Sequence, residues 1–265
     1  MLELYQFEMS QYSEKVRLIL DYKGLDYRKI EVAPGVGQIE LYQKSGQRQV
    51  PVLKDGDIYV ADSTEIALYL DRKYPDPPLL PIDPKERGLC LLIEEWADVS
   101  IGAKGRKAFV GALNKNANFR TSILPRDTPD FLKTLVGSLP GEVLDALGSG
   151  VGFGGSAVKD AQNALKQDLG ALCLLLENSP YLVTDRPTLA DFAVAGLSII
   201  LKFPVGNYLD IPSELQGKGI PGLADNTMYE PFFTWRDRLY SEYRRLIIPT
   251  VNTSAGSAPT SIDID

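Results

Sequence analysis

Histidine does not occur anywhere in this 265-residue chain. That excludes Ser-His-Asp and Cys-His nucleophilic catalysis, and it removes the commonest metal-ligating side chain, so no metal site is expected. Cysteine is nearly as scarce. The two present, Cys90 and Cys173, sit in the apolar helical runs Leu89-Cys90-Leu91-Leu92 and Leu172-Cys173-Leu174-Leu175. Buried, inert thiols are the expectation there, with a disulfide or redox pair as the alternative. No run approaches 18 apolar residues, so no membrane span is expected. Basic residues are not in excess: 28 Lys and Arg against 35 Asp and Glu give a net charge of −7. This balance argues against a nucleic-acid partner, whose phosphates need clustered cations. The start, Met1-Leu2-Glu3-Leu4-Tyr5, reads directly into a strand without the basic-then-apolar layout of a signal peptide, so a cytoplasmic setting is expected. Any chemistry must work through hydroxyls, carboxylates, amides, backbone dipoles or a group borrowed from a co-substrate.

What is present is ordinary for a globular chain: 44% apolar and 24% charged residues. The first eighty residues alternate strand and helix signals. Leu2 to Phe7 alternates with period two, and Tyr12, Val16, Ile19 and Leu20 then recur at helical spacing until Gly24. Tyr27 to Val32 reads as a second strand, Pro34 to Gly37 as a loop, and Ile39 to Tyr42 as part of a short helix. Val50 to Leu53 and Ile58 to Ala61 flank Lys54-Asp55-Gly56-Asp57, a hairpin signal, and a helix runs from about Ser63 to Tyr74. The order β-α-β-α-β-β-α implies a mixed sheet. A proline-rich linker follows, Tyr74 to Pro81. Helical patterns then run from Glu86 to about Val110, Val158 to Glu177, Leu189 to Phe203 and Pro231 to Leu246. Residues 112–157 fit the helical pattern poorly and read as an insertion, with short helices expected around Pro129 to Val136 and Pro140 to Leu147. Its glycine-rich end, 148–155, lacks the Gly-Lys-Ser/Thr and the preceding strand of a phosphate loop, and reads as linker. The expected domains are 1–76 and 85–249, with a frayed tail at 250–265.

Three short segments could carry chemistry. Ser10 falls where the first strand turns into a helix, and helix-terminal amides with a hydroxyl can stabilise an anion. Ser10 also reads as a helix cap, although Ser13-Glu14-Lys15-Val16 offers an equally good start that would leave Ser10 free. In Gln49-Val50-Pro51-Val52 the proline is either an ordinary edge-strand proline or follows a cis bond that turns the Val50 backbone outward to pair with an extended peptide. Asp62-Ser63-Thr64-Glu65 satisfies a capping box. The same geometry offers a hydroxyl and amides to a carboxylate, and an acid to an ammonium.

In order and spacing, Ser10-x-Tyr12-x-x-Lys15-Val16-Arg17, Arg48-Gln49-Val50-Pro51-Val52-Leu53 and Asp62-Ser63 resemble the glutathione site of glutathione S-transferases of the serine or cysteine type. Thr188-Leu189-Ala190-Asp191-Phe192 is similar to the capping box that opens the central helix of that family's second domain. The resemblance implies a thioredoxin-like α/β N-terminal domain and an all-α C-terminal domain. It also implies glutathione as co-substrate, a hydrophobic electrophile or a peroxide as second substrate, and a homodimer. It assigns Ser10 to thiolate stabilisation, Val50 and Pro51 to the cysteinyl backbone, Gln49 to the glycyl end, and Asp62 and Ser63 to the γ-glutamyl ammonium and carboxylate. Tyr5 is a lesser candidate for the thiol. The second substrate would meet Tyr12, Trp96, Arg106 and Phe109; for the last three, core packing or a solvated charge is the plainer alternative. A binding or interaction module without turnover is the second functional reading, because a fold does not settle an activity.

Overall fold

Leu2–Gln6 forms β1 at the centre of a sheet, with the alternation read from the sequence placing Leu2 and Leu4 in the main core. The computed structural model describes residues 1–33, 36–123, 129–141 and 155–247. After β1 come α1 (Gln11–Tyr22), β2 (Tyr27–Glu31), α2 (Val36–Ser45), β3 (Val52–Asp55), β4 (Ile58–Ala61) and α3 (Ser63–Lys73). The sheet order is β2-β1-β3-β4. β1 and β2 are parallel, with Leu2 opposite Tyr27 and Gln6 opposite Glu31, whereas β3 runs antiparallel to both β1 and β4. The β3–β4 turn passes through Gly56 at φ +61°, a conformation that glycine adopts without strain.

The second unit is helical: α4 (Pro84–Ala97), a π-helical turn (Asp98–Lys104), α5 (Gly105–Lys115), α6 (Ala117–Ser122), α7 (Asp130–Ser138), α8 (Gly155–Leu175), α9 (Leu189–Leu197) and α10 (Glu230–Tyr243). The fold is therefore thioredoxin-like α/β followed by an all-α unit, as the strand and helix signals imply. Every residue of α9 is buried. Its start is fixed by Asp191, whose carboxylate accepts from the Thr188 amide at 2.8 Å, the Thr188 hydroxyl at 2.9 Å and the Leu182 amide at 2.8 Å. Helix α9 packs against α1, and Gly196 sets the distance between them. A Cβ there would lie 2.6 Å from Lys15 Cα and 2.7 Å from Lys15 N, so any side chain would force the two backbones apart.

Several expectations need correction. Helix α1 begins at Gln11 with Ser10 itself as cap, not at Ser13, because the Ser10 hydroxyl takes the Ser13 amide. The long run after the linker is continuous from Pro84 to Lys115 but is interrupted by the π turn, which a period-3.6 reading cannot show. Helix α9 stops at Leu197, and residues 198–200 form a 3₁₀ turn. Cys90 is buried, as expected. Cys173 is only half-buried, its Sγ 3.6 Å from the Met228 carbonyl. Burial raises both thiols above their ordinary value, which keeps them protonated. Pro34, Gly35, all but the first two residues of the helix expected around Pro140 to Leu147, residues 148–154 of the glycine-rich stretch and the tail at 250–265 lie outside the described residues. Among those described, no helix is long and apolar enough to cross a membrane.

Candidate active site

Ser10 ends the turn that follows β1. Its φ of −73° and ψ of 114° are those of a cap; its carbonyl accepts from the Glu14 amide at 2.9 Å, and its Oγ accepts from the Ser13 amide at 3.2 Å. Accepting uses a lone pair and leaves the O–H as a donor, so one hydroxyl can cap the helix and hydrogen-bond an anion at the same helix tip. Ser13, one turn in, is fully buried and its hydroxyl has no hydrogen-bond partner among the described residues. Tyr5 packs instead into a small cluster with Val32, Leu41 and Val52. Burial raises its hydroxyl above the ordinary tyrosine value.

The Val50–Pro51 bond is cis, which settles the alternative left open by the sequence. Val50 precedes β3 and is half-buried against the Tyr5 cluster; Gln49 beside it is exposed. Next to this strand, Asp62 caps α3 with Oδ1, 2.8 Å from the Thr64 amide and 3.2 Å from the Glu65 amide. Its φ is +73° with ψ 134°, the one positive φ at a non-glycine among the described residues. Such a conformation costs an L-residue ~1–3 kcal/mol and persists where the surroundings impose it, commonly at ligand sites. Ser63 follows. Its side chain is buried, and its Oγ has no hydrogen-bond partner among the described residues. An orphaned buried hydroxyl at a helix N-terminus suits a carboxylate, and the outer oxygen of Asp62 suits an ammonium.

On the other side of Ser10 the π turn closes over α1. The Tyr12 hydroxyl donates to the Asp98 carbonyl at 3.0 Å and Gln11 Nε2 to the Gly102 carbonyl at 2.6 Å. Gly102 permits this approach, since a Cβ there would lie 2.7 Å from the Tyr12 hydroxyl. The Arg106 guanidinium lies 5.5 Å from the Tyr12 ring centroid. Trp96 is half-buried against the main core. Phe109 is 8% exposed and packs edge-on with Phe119 and Phe203, a core environment. Tyr12 and Arg106 are thus brought together, whereas Phe109 faces the interior of the helical unit.

One cluster escaped the sequence reading. Lys15 is fully buried; its ammonium contacts Glu94, Asp98 Oδ1 at 3.0 Å and the Thr64 hydroxyl at 3.2 Å, and that hydroxyl donates to Glu94 at 2.6 Å. A single lysine therefore ties α1, which carries Ser10, to the α3 tip and to α4. The Glu94-x-x-x-Asp98 spacing was its only sequence trace.

Comparison with known proteins bears on this arrangement. Residues 4–78 match the model of the glutathione S-transferase N-terminal domain, and residues 152–216 that of the glutathione S-transferase C-terminal domain. The chain belongs to the glutathione S-transferase family. It is 41% identical over 91 residues to glutathione S-transferase Z1 of Arabidopsis thaliana, covering 33% of this chain and 41% of that protein. Over 93 residues it is 37% identical to the stringent starvation protein A homolog of Pasteurella multocida, covering 33% of this chain and 44% of the relative. The matched segments thus span less than half of these curated relatives. Among solved structures the fold is similar to the β-etherase LigF of Sphingobium, with a TM-score of 0.66 at 21% identity over 91% of this chain and 95% of that one. The segment matched by the N-terminal family model, residues 4–78, holds Ser10, Pro51 and Ser63.

Proposed function

We propose that this glutathione S-transferase family member binds glutathione, ionises its thiol and adds the thiolate to an electrophile or uses it to reduce a peroxide. The observation that carries the reading is the buried, partnerless Ser63 hydroxyl beside an Asp62 held at positive φ. Ser63 and the first amides of α3 take the γ-glutamyl carboxylate, and Asp62 takes the ammonium. Val50, ahead of cis Pro51, pairs through its backbone with the cysteinyl residue, with Gln49 at the glycyl end. That register delivers the sulfur toward the α1 tip, where Ser10 donates to it. Tyr12, Arg106 and Trp96 form the electrophile side. Residues 1–76 are the glutathione-binding domain, 85–249 the helical domain with 112–157 inserted, and a reducing, cytoplasmic setting fits the free thiols.

The test is retention on immobilised glutathione combined with conjugation of 1-chloro-2,4-dinitrobenzene; both are expected. Retention without turnover would reduce the protein to a binding module, and failure to be retained would remove the reading altogether.

The same proposal includes a homodimer. Leu89, Leu92 and Val99 recur along the outer face of α4 and the π turn and are 45%, 71% and 56% exposed. An apolar stripe of this kind on a charged helix suits burial against a second copy. Sedimentation should give twice the 29.2 kDa chain mass; a monomer at micromolar concentration contradicts this part.

A further inference from the structure

We infer that the second substrate carries an anionic group, a carboxylate or its chemical equivalent, and that Arg106 selects it. This rests on the transferase reading above. The starting observation is a cation without a carboxylate partner. Arg106 is exposed and stacks on the Tyr12 ring, two residues along α1 from Ser10. Among the described residues no carboxylate lies within ion-pair distance of it.

The acids nearby are already committed. The Asp98 carboxylate and Glu94 are held by Lys15, and Asp168 is held by Ser100 and by Lys104 at 3.9 Å. Tyr12 cannot supply the missing charge: burial pushes its hydroxyl above the ordinary value, against the pull of Arg106, so it remains a neutral phenol that donates to Asp98. That leaves the exposed Arg106 guanidinium open to an incoming group. Stacking on Tyr12 also restricts its motion, so little side-chain freedom is lost when it pairs. The adjacent α1 N-terminus adds partial positive charge. Of the other cations in that stretch, Lys104 is spent on Ser100 and Asp168, and Lys107 is half-buried and less open than the exposed Arg106. Arg106 is therefore the group an incoming anion would meet.

Two aryl chlorides of similar shape separate charge from size: neutral 1-chloro-2,4-dinitrobenzene and anionic 4-chloro-3,5-dinitrobenzoate. In each, sulfur forms a C–S bond at the chlorine-bearing carbon and chloride departs with the bonding pair. Arg106→Gln should lower kcat/KM for the benzoate about tenfold more than for the neutral halide, the scale of one charge-assisted contact, while the KM for glutathione stays near the parent's. Arg106→Lys should recover part of the loss. An equal fall for both halides would make Arg106 a general support of the thiolate. A raised KM for glutathione would assign it to the tripeptide. Either result, or no change, overturns the inference.

Calorimetry of the two corresponding S-aryl glutathione conjugates separates this outcome from failure of the transferase reading. Should neither halide turn over, tighter binding of the carboxylated conjugate that is lost in Arg106→Gln still supports anion selection. Equal binding of both conjugates, or binding of neither, sinks it.

Discussion

Ser10→Gly is expected to lower glutathione conjugation about 10–100-fold at pH 6, with the deficit shrinking to nothing above pH 9. The range follows from what one hydroxyl and a helix tip can do. A thiol with a reference pKa near 8.5 that is brought down ~2 units is stabilised as thiolate by about 2.7 kcal/mol, so on the order of a hundred times more anion is present well below its pKa. A less basic thiolate is also a weaker nucleophile, and this offsets up to about one power of ten. Above pH 9 glutathione is ionised in both proteins and the advantage vanishes. Glycine is the informative replacement because Ser10 also caps α1 through the Ser13 amide. Exchange of a capping serine for glycine costs a few tenths of a kcal/mol, whereas alanine costs ~1 kcal/mol. Ser10→Gly thus removes the donor and leaves the helix end almost intact. Glutathione retention should persist, since Val50, Asp62 and Ser63 are untouched. A pH–rate profile identical to the parent's would eliminate Ser10 as the group that lowers the thiol pKa.

The parts of the site that rest on local chemistry were readable from the chain alone. Asp62-Ser63 announces a helix start whatever else it does, Gly56 announces a hairpin, and the period-two and period-3.6 patterns order the α/β unit. What was not readable depends on residues distant in sequence. Helix α1 carries Glu14, Lys15, Arg17 and Asp21, which on a local window look like a solvated face; all four are buried. Their partners come from Glu94, Asp98, Arg244 and Glu8, up to 230 positions away. Periodicity shows that one face of a helix is apolar, but it cannot show that the charged face is covered by a second unit. The π turn was hidden for a related reason, since its register is set by Tyr12 and Gln11 reaching its carbonyls. Phe109 follows the plainer of its two readings: its ring packs on Phe119 and Phe203 in the core.

Glu14→Gln should destabilise the protein by about 3–5 kcal/mol in chemical denaturation, far more than a surface charge change, because it leaves buried guanidinium groups undercompensated. Glu14 is fully buried between two arginines: Arg17 one turn along α1, and Arg244 just beyond α10, whose Nε lies 3.0 Å from Glu14 Oε1. Arg244 also contacts Asp21 at 2.6 Å, so the four charges join the end of the helical unit to the helix that carries Ser10. Burial alone would raise the Glu14 carboxyl; Arg17 and Arg244 outweigh it and hold the group below its ordinary value. Glu8, salt-bridged to Arg17 at 3.2 Å, is likewise lowered to about 2, the pull of Arg17 and Lys29 overcoming burial. A carboxylate whose folded pKa is depressed contributes stability at pH above its unfolded value, and that contribution is lost as pH falls through the folded one. The parent should therefore lose stability as pH falls from about 5 toward 2, with Glu14 and Glu8 both protonating. Asp21, raised by burial and in lesser part by the Glu14 charge, acts in the opposite sense, and less so in the variant. Glu14→Gln should thus show a shallower acid limb as well as a lower plateau at pH 7. A variant as stable as the parent at pH 7, or one with an unchanged acid limb, would mean that Arg17 and Arg244 find adequate partners in Glu8 and Asp21 alone, and that the two units are held together by the apolar packing of α1 on α9.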